Sequence, residues 1–241
     1  RAREPRAIAR AISLVEEGGK SARARALLAG LGNRRPVGKP LVLGITGASG
    51  SGKSTLTSRL IAWYRSRGRR VGVVAIDPSS PRSGGALLGD RIRMREHAGD
   101  PEVVIRSMAT RGQGGGLNPS CAAVVRILAA AGCDPVLVET VGVGQVEMDI
   151  VRLARVTLLV LAPGYGDGIQ LMKAGLLEVA DLLVVNKIDL PAAADLAGEV
   201  EALAREDGRP FCVTSATEGT GVDRLAELVD TLCRGRGKGR R

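Results

Sequence analysis

The chain has 241 residues, a formal net charge of +10 and 44% hydrophobic residues, enough to bury one substantial core, so one main domain with an appendage is expected. Aromatic residues make up only 2%, namely Trp63, Tyr64, Tyr165 and Phe211, which leaves too few flat side chains for a base-stacking surface and argues against a single-stranded nucleic-acid binder. No apolar run is long enough to span a membrane, and the basic excess gathers in the first 35 residues and in Arg234–Arg241, where solvated ends commonly carry it.

In chain order, residues 5–30 place Ile8, Ala11, Ile12, Leu14 and Val15, then Ala22, Leu27 and Leu28, at helical spacing broken at Gly18-Gly19, which predicts a helical hairpin that packs on the core. After Pro40, strand-like apolar runs recur at 41–46, 71–76, 103–108, 135–139, 156–161, 182–186 and 211–214, with helix-length segments between them. Several are apolar throughout, as strands covered on both faces require. The expected fold is therefore α/β, a mostly parallel central sheet with helices on both faces, with ligands beyond the carboxyl ends of the strands. The expected division is a helical arm over 1–34, the main domain over 35–234 and a basic tail over 235–241.

Directly after the first run comes Gly47-Ala48-Ser49-Gly50-Ser51-Gly52-Lys53-Ser54-Thr55, the strand, glycine loop and helix pattern that cradles nucleoside triphosphate phosphates. The glycines let successive N–H groups curl inward at the positive end of a helix. Lys53 is expected to reach the β and γ phosphates and Ser54 to ligate Mg²⁺.

Two acidic groups follow strand-like runs: Asp77 after Val71–Ile76, and Glu139 after Leu137-Val138. Both point to the magnesium region, where carboxylates hold the ion through its retained waters. Asp90 lies on a glycine-flanked segment that could close over the γ-phosphate. Lys53, Asp77 and Glu139 are the candidate catalytic groups. The position where many regulatory GTPases carry a water-orienting glutamine is Val143, with Gln145 two residues later, so slow intrinsic hydrolysis is expected. Arg111 and Lys173 are candidates for a further positive charge.

Asn186-Lys187-Ile188-Asp189, closing the run at 182–186, is the order in which a guanine-reading loop is presented. The Asp189 carboxylate can accept from both N1–H and the exocyclic amine of guanine, a donor pair that adenine lacks. Ser215-Ala216-Thr217, after the run at 211–214, is where a backbone N–H would meet the guanine O6. Cys121, Cys133, Cys212 and Cys233 show no C-x-x-C spacing, and no cysteine stands near His97, so no structural zinc site is expected. Apolar surroundings for the first three suggest core thiols in a reducing, cytoplasmic setting.

The chain resembles the methylmalonyl-CoA mutase-associated GTPases, also named arginine/ornithine-transport-related kinases, within the signal-recognition-particle and MinD-like class. The carriers are Arg6–Glu16, Ala75–Ser80, Leu88–Met94, Glu139-Thr-Val-Gly-Val-Gly-Gln145 and Gly166–Lys173. The resemblance implies a G-protein chaperone that gates adenosylcobalamin delivery to an acyl-CoA mutase and protects or reactivates it. It maps a magnesium environment to Ser54, Asp77, Asp90 and Glu139, and a partner-responsive switch to Gly166–Lys173, in which Asp167, Gln170 and Lys173 face the mutase. Family members commonly continue into a helical arm that makes a homodimer. Here a basic tail follows Leu225–Leu232, so that arm is expected to be absent and a homodimer would need another surface. Two alternatives stand beside this: a phosphotransferase acting on a transport protein, and a nickel-delivery GTPase, which would need His/Cys clusters.

Overall fold

Short runs rich in Val, Leu and Ile build seven strands in the computed structural model, which describes residues 4–18, 21–32, 40–77, 94–110, 117–140, 146–164, 177 and 180–235. They are β1 (Val42–Thr46), β2 (Val71–Asp77), β3 (Val103–Ala109), β4 (Val136–Glu139), β5 (Val156–Leu161), β6 (Leu182–Asn186) and β7 (Phe211–Thr214). All pair in parallel, in the order β3-β2-β4-β1-β5-β6-β7. β1 thus sits at the centre, paired with β4 through Val42 and Val136 and with β5 through Leu43 and Val156. Among the described residues seven α-helices accompany them: α1 (Pro5–Gly18), α2 (Ala22–Gly32), α3 (Lys53–Ser66), α4 (Cys121–Ala130), α5 (Val146–Leu153), α6 (Ala193–Glu206) and α7 (Val222–Gly235).

Alternation along each strand sorts the core into two layers, because successive side chains point to opposite faces. Leu43, Ile45, Val73, Leu137, Leu158 and Val184 face one way and pack with Leu56, Leu60 and Tyr64 of α3 and Leu225 and Val229 of α7. Val42, Val74, Ile76, Val136 and Val138 face the other way, against Val124 and Leu128 of α4 and Ile150 of α5. Further along that sheet, Leu159, Leu161, Leu183 and Val185 meet Val200 and Ala204 of α6. The predicted strands agree with these to within one residue at each end.

The hairpin belongs to the second layer. Ile8, Ile12 and Val15 repeat every three or four residues, so they line one stripe of α1, and all three are buried beside α4. Ser21 begins α2 by accepting the Ala24 N–H at 3.1 Å on its hydroxyl, a helix N-cap. Ser120 Oγ donates to Val15 O at 3.0 Å and Arg126 to Leu28 O at 2.9 Å, tying both arms to α4. On the opposite layer, the wholly buried Tyr64 donates to Asp230 of α7 at 3.3 Å. Arg69 stacks over that ring and pairs with the same carboxylate at 3.1 Å. Burial and the Asp230 charge push the phenol pKa up, which keeps it protonated.

All four cysteines are buried free thiols, as the sequence suggested for three of them. Burial raises Cys121 to about 12 and Cys133 to about 11, so both stay protonated at neutral pH. In native protein at pH 8, a thiol reagent should titrate less than one equivalent within minutes, and all four cysteines only after denaturation. Gly44 lets α5 approach the central strand: a Cβ there would lie 2.9 Å from Ile150 Cγ1 and 3.0 Å from Ala154 Cβ. Gly44→Ala is expected to cost about 1–3 kcal/mol of stability, read from the midpoint of urea unfolding.

Candidate nucleotide and metal site

The phosphate, acidic and base-reading motifs described in the structure all lie at the carboxyl ends of strands. β1 stops at Thr46, and residues 47–52 turn into α3. Gly47 (φ 138°) and Gly52 (φ 90°) hold backbone conformations that L side chains rarely adopt, and space alone would forbid a side chain at either. A Cβ at Gly47 would lie 2.1 Å from Val160 O, and one at Gly52 would lie 2.3 Å from Asn186 Nδ2. The loop delivers the first-turn N–H groups of α3, which lack intrahelical acceptors, to the mouth of the site, a natural seat for an anion. Lys53 is nearly buried and lies back over the loop, donating to Gly47 O at 2.9 Å and Ala48 O at 2.8 Å. A polyphosphate offers the same ammonium charged oxygens, which form stronger bonds than neutral carbonyls.

The acidic groups come from neighbouring strands. Glu139 is in register with Ile45 on one side and Ala75 on the other, and Asp77 ends β2 two residues beyond Ala75. Both carboxylates are buried, at 2% and 4% exposure. Ser54 Oγ donates to Glu139 Oε1 at 2.6 Å. Thr57 Oγ1 lies 2.9 Å from Glu139 Oε2 and 2.9 Å from Lys53 O, so its single proton has a charged and a neutral acceptor in reach. This is an all-oxygen donor set, with a hydroxyl held against a carboxylate, and its chemistry fits Mg²⁺. Among the described residues no three His, Cys, Asp or Glu side chains cluster as a metal site.

On the other side of the loop, Asn186 is 1% exposed and engages three partners from two segments. Its Nδ2 donates to Ser51 O at 2.9 Å, while its Oδ1 accepts from Thr214 Oγ1 and from Ala216 N, each at 3.0 Å. The carboxamide therefore braces the phosphate loop against the 215–217 loop. Lys187 follows in the left-handed region (φ 63°), the one non-glycine residue with positive φ among those described. The turn is closed by Ile188 N to Thr214 O at 3.1 Å and Leu190 N to Lys187 O at 2.9 Å, and Asp189 stands exposed within it. Ser215 and Ala216 are buried, and Thr217 is exposed.

A family model described as "Methylmalonyl Co-A mutase-associated GTPase MeaB" matches residues 8–237. The chain belongs to that family. It is a MeaB-family GTPase. A relative named as a GTPase in Pyrococcus horikoshii is 47% identical over 236 residues, 93% of this chain and 72% of that protein. The "Methylmalonic aciduria type A homolog, mitochondrial" of Mus musculus is 38% identical over 210 residues, 82% of this chain and 50% of the mouse protein. Among solved structures, one described as a LAO/AO transport system kinase matches with a TM-score of 0.75 and 27% identity, over 99% of this chain and 75% of that one. The hydrogenase maturation factor HypB from Archaeoglobus fulgidus has a TM-score of 0.57 at 19% identity, covering 93% of this chain and 99% of its own; it shares the fold.

In this MeaB-family chain the structure brings together residues 47–55, Asp77 and Glu139, and sets Asn186, Lys187, Asp189 and residues 215–217 on the far side of the same loop. Asp90, Arg111, Val143, Gln145, Asp167, Gln170 and Lys173 lie outside the described residues. Two expectations gain detail. Asn186 was expected to bind nucleotide, and its side chain is found spanning protein segments, since Ser51, Thr214 and Ala216 all fall within its reach. The Ala216 N–H is directed at Asn186, which leaves Thr217 as the outward donor of that triplet. Thr57 and Arg59 were missed. For Thr57 a signal existed: it stands three residues after Ser54, on the same helix face.

Thr57→Val, which keeps the volume and removes the hydroxyl, is expected to lower stability by about 1–3 kcal/mol in urea unfolding. Asn186→Ala, which strips three partners in a buried setting, should cost about 2–4 kcal/mol by the same measurement and weaken GDP binding in calorimetry.

Proposed function

We propose that this GTPase is a G-protein chaperone for an adenosylcobalamin-dependent acyl-CoA mutase of the methylmalonyl-CoA mutase type, using GTP to gate cofactor delivery and to protect or reactivate the mutase. The observation that carries the proposal is the family match over residues 8–237, to a family described by its association with that mutase. The mouse relative, whose name refers to methylmalonic aciduria, supports the same direction.

In this assignment residues 47–55 hold the phosphates: the loop N–H groups and Lys53 balance their charge, with the ammonium exchanging the Gly47 and Ala48 carbonyls for phosphate oxygens. Ser54, Asp77 and Glu139, with Asp90 from the sequence pattern, would hold Mg²⁺, which supplies charge neutralisation on the β and γ oxygens when bound. Glu139 orients the Ser54 hydroxyl, and Thr57 orients Glu139. Asp189 reads the N1–H and amine of guanine, and the 215–217 loop reads O6. Asp167, Gln170 and Lys173 form the partner-responsive switch. With Val143 where a water-orienting glutamine would stand, the isolated protein turns over slowly and the mutase accelerates it. No helix of the described residues is long and apolar enough to cross a membrane, and a cytoplasmic site of action accords with the four free thiols.

A second assignment, phosphotransfer to a transport protein, draws on the solved neighbour described as a transport system kinase. One experiment separates the two: GTP turnover by the purified chain, alone and with an adenosylcobalamin-dependent mutase, with ATP and Lys53→Ala as controls and γ-labelled GTP to follow transfer. Turnover alone should fall below the ~1–100 s⁻¹ typical of kinases, rise at least about tenfold with the mutase, require GTP and vanish in Lys53→Ala. Turnover indifferent to the mutase, with label appearing on a protein acceptor, would favour the phosphotransferase.

A further inference from the structure

Arg59 leaves α3 on the side away from the acidic cluster, and its guanidinium spans two successive carbonyls of the 215–217 loop. Nε donates to Ala216 O at 2.8 Å and Nη2 to Thr217 O at 2.6 Å. The loop's other donors are directed inward: Ser215 N to Thr220 O at 3.0 Å, Ala216 N to Asn186 Oδ1 at 3.0 Å and Glu218 N to Ser215 Oγ at 3.4 Å. Thr217 N–H is the donor of this loop that no described protein acceptor takes up. It belongs to the same peptide unit as Ala216 O, and that peptide is trans. In a trans peptide the C=O and the following N–H point in opposite directions, so the bond from Arg59 turns the Thr217 N–H away from α3. A charged donor on the carbonyl also polarises the unit and strengthens its N–H as a donor.

We propose that Arg59 is a positioning residue for base selection, fixing the Ala216–Thr217 peptide plane so that the Thr217 N–H meets the oxygen at the six position of guanine. This deepens the guanine assignment above and rests on it. Adenine carries an amino group at that position, so a fixed N–H there faces another donor and both lose a partner. A rigid peptide discriminates better than a mobile one, because a loop free to rotate could offer its carbonyl instead. Arginine suits the task better than lysine, since its planar fork reaches both carbonyls with one side chain.

The test compares GDP with the diphosphate of 2-aminopurine riboside, which keeps the exocyclic amine and lacks both the six-position oxygen and the N1–H, so each variant is compared with the unaltered chain on the same nucleotide and the Asp189 contribution cancels. Affinities of both are measured by calorimetry for the full chain, Arg59→Ala and Arg59→Lys. Arg59→Ala is expected to weaken GDP about tenfold and the analogue less than about twofold. Arg59→Lys, able to reach one carbonyl, should lose an intermediate factor confined to GDP, and it keeps the comparison available if the alanine variant folds poorly. Equal losses on both nucleotides in either variant would overturn the proposal, because a general loosening of the site does not distinguish the bases. If the unaltered chain holds GDP and the analogue equally, the loop does not read the six position, and the guanine assignment of that loop falls with the proposal.

Discussion

A buried carboxamide, that of Asn186, joins two stretches of chain distant in sequence: Ser51 in the phosphate loop, and Thr214 with Ala216 at and just beyond the end of β7. Ser51 and Ala216 lie in irregular backbone outside any strand or helix ladder, and Thr214 is the last residue of its strand. Inside the protein such bonds are strong and costly to leave unmade, so one side chain fixes the spacing between the half of the site suited to phosphate and the half suited to a base. Gly52 follows from the same constraint, since any side chain there would occupy the place of the Asn186 amide.

The phosphate-loop helix carries this geometry outward. Its three consecutive residues Thr57, Ser58 and Arg59 project about 100° apart, so each meets a different neighbour. Thr57 meets Glu139, Ser58 contacts Glu96 and lies 2.9 Å from His97 Nε2, and Arg59 meets the carbonyls of Ala216 and Thr217. A rigid helix touching the acidic cluster, the short turn at Arg95–His97 and the base loop gives those three regions one shared frame. The far end of the helix is anchored by Tyr64 and Arg69 on Asp230, which keeps that frame fixed against α7.

Much of this was legible in the sequence because its signals are local. The seven strands announce themselves as short apolar runs, and the phosphate loop by glycines in a fixed order after one of them. Glu139 and Asp77 were legible as acids closing strands. What the sequence concealed depends on direction and pairing between distant segments. The Asn186 amide reaches Ser51 across 135 positions, and Arg59 reaches Thr217 across 158. Neither contact leaves a periodicity. Strand order was hidden for the same reason: nothing in the run at 135–139 says that it inserts between β1 and β2.

That insertion bears on how the chain assembles. β1 is made early, yet neither of its sheet partners, β4 and β5, is its neighbour in sequence, and Leu41 finds the Asp134 carboxylate only 93 positions later. Of β1, β2 and β3, only β2 and β3 pair with each other. Until residue 139 emerges, the central strand of the mature sheet has two open edges and an adhesive apolar surface, the condition in which nascent chains stick to one another. Closing contacts of such long range is slow, so the architecture that places the phosphate loop at the heart of the sheet also lengthens the interval in which those edges stand open.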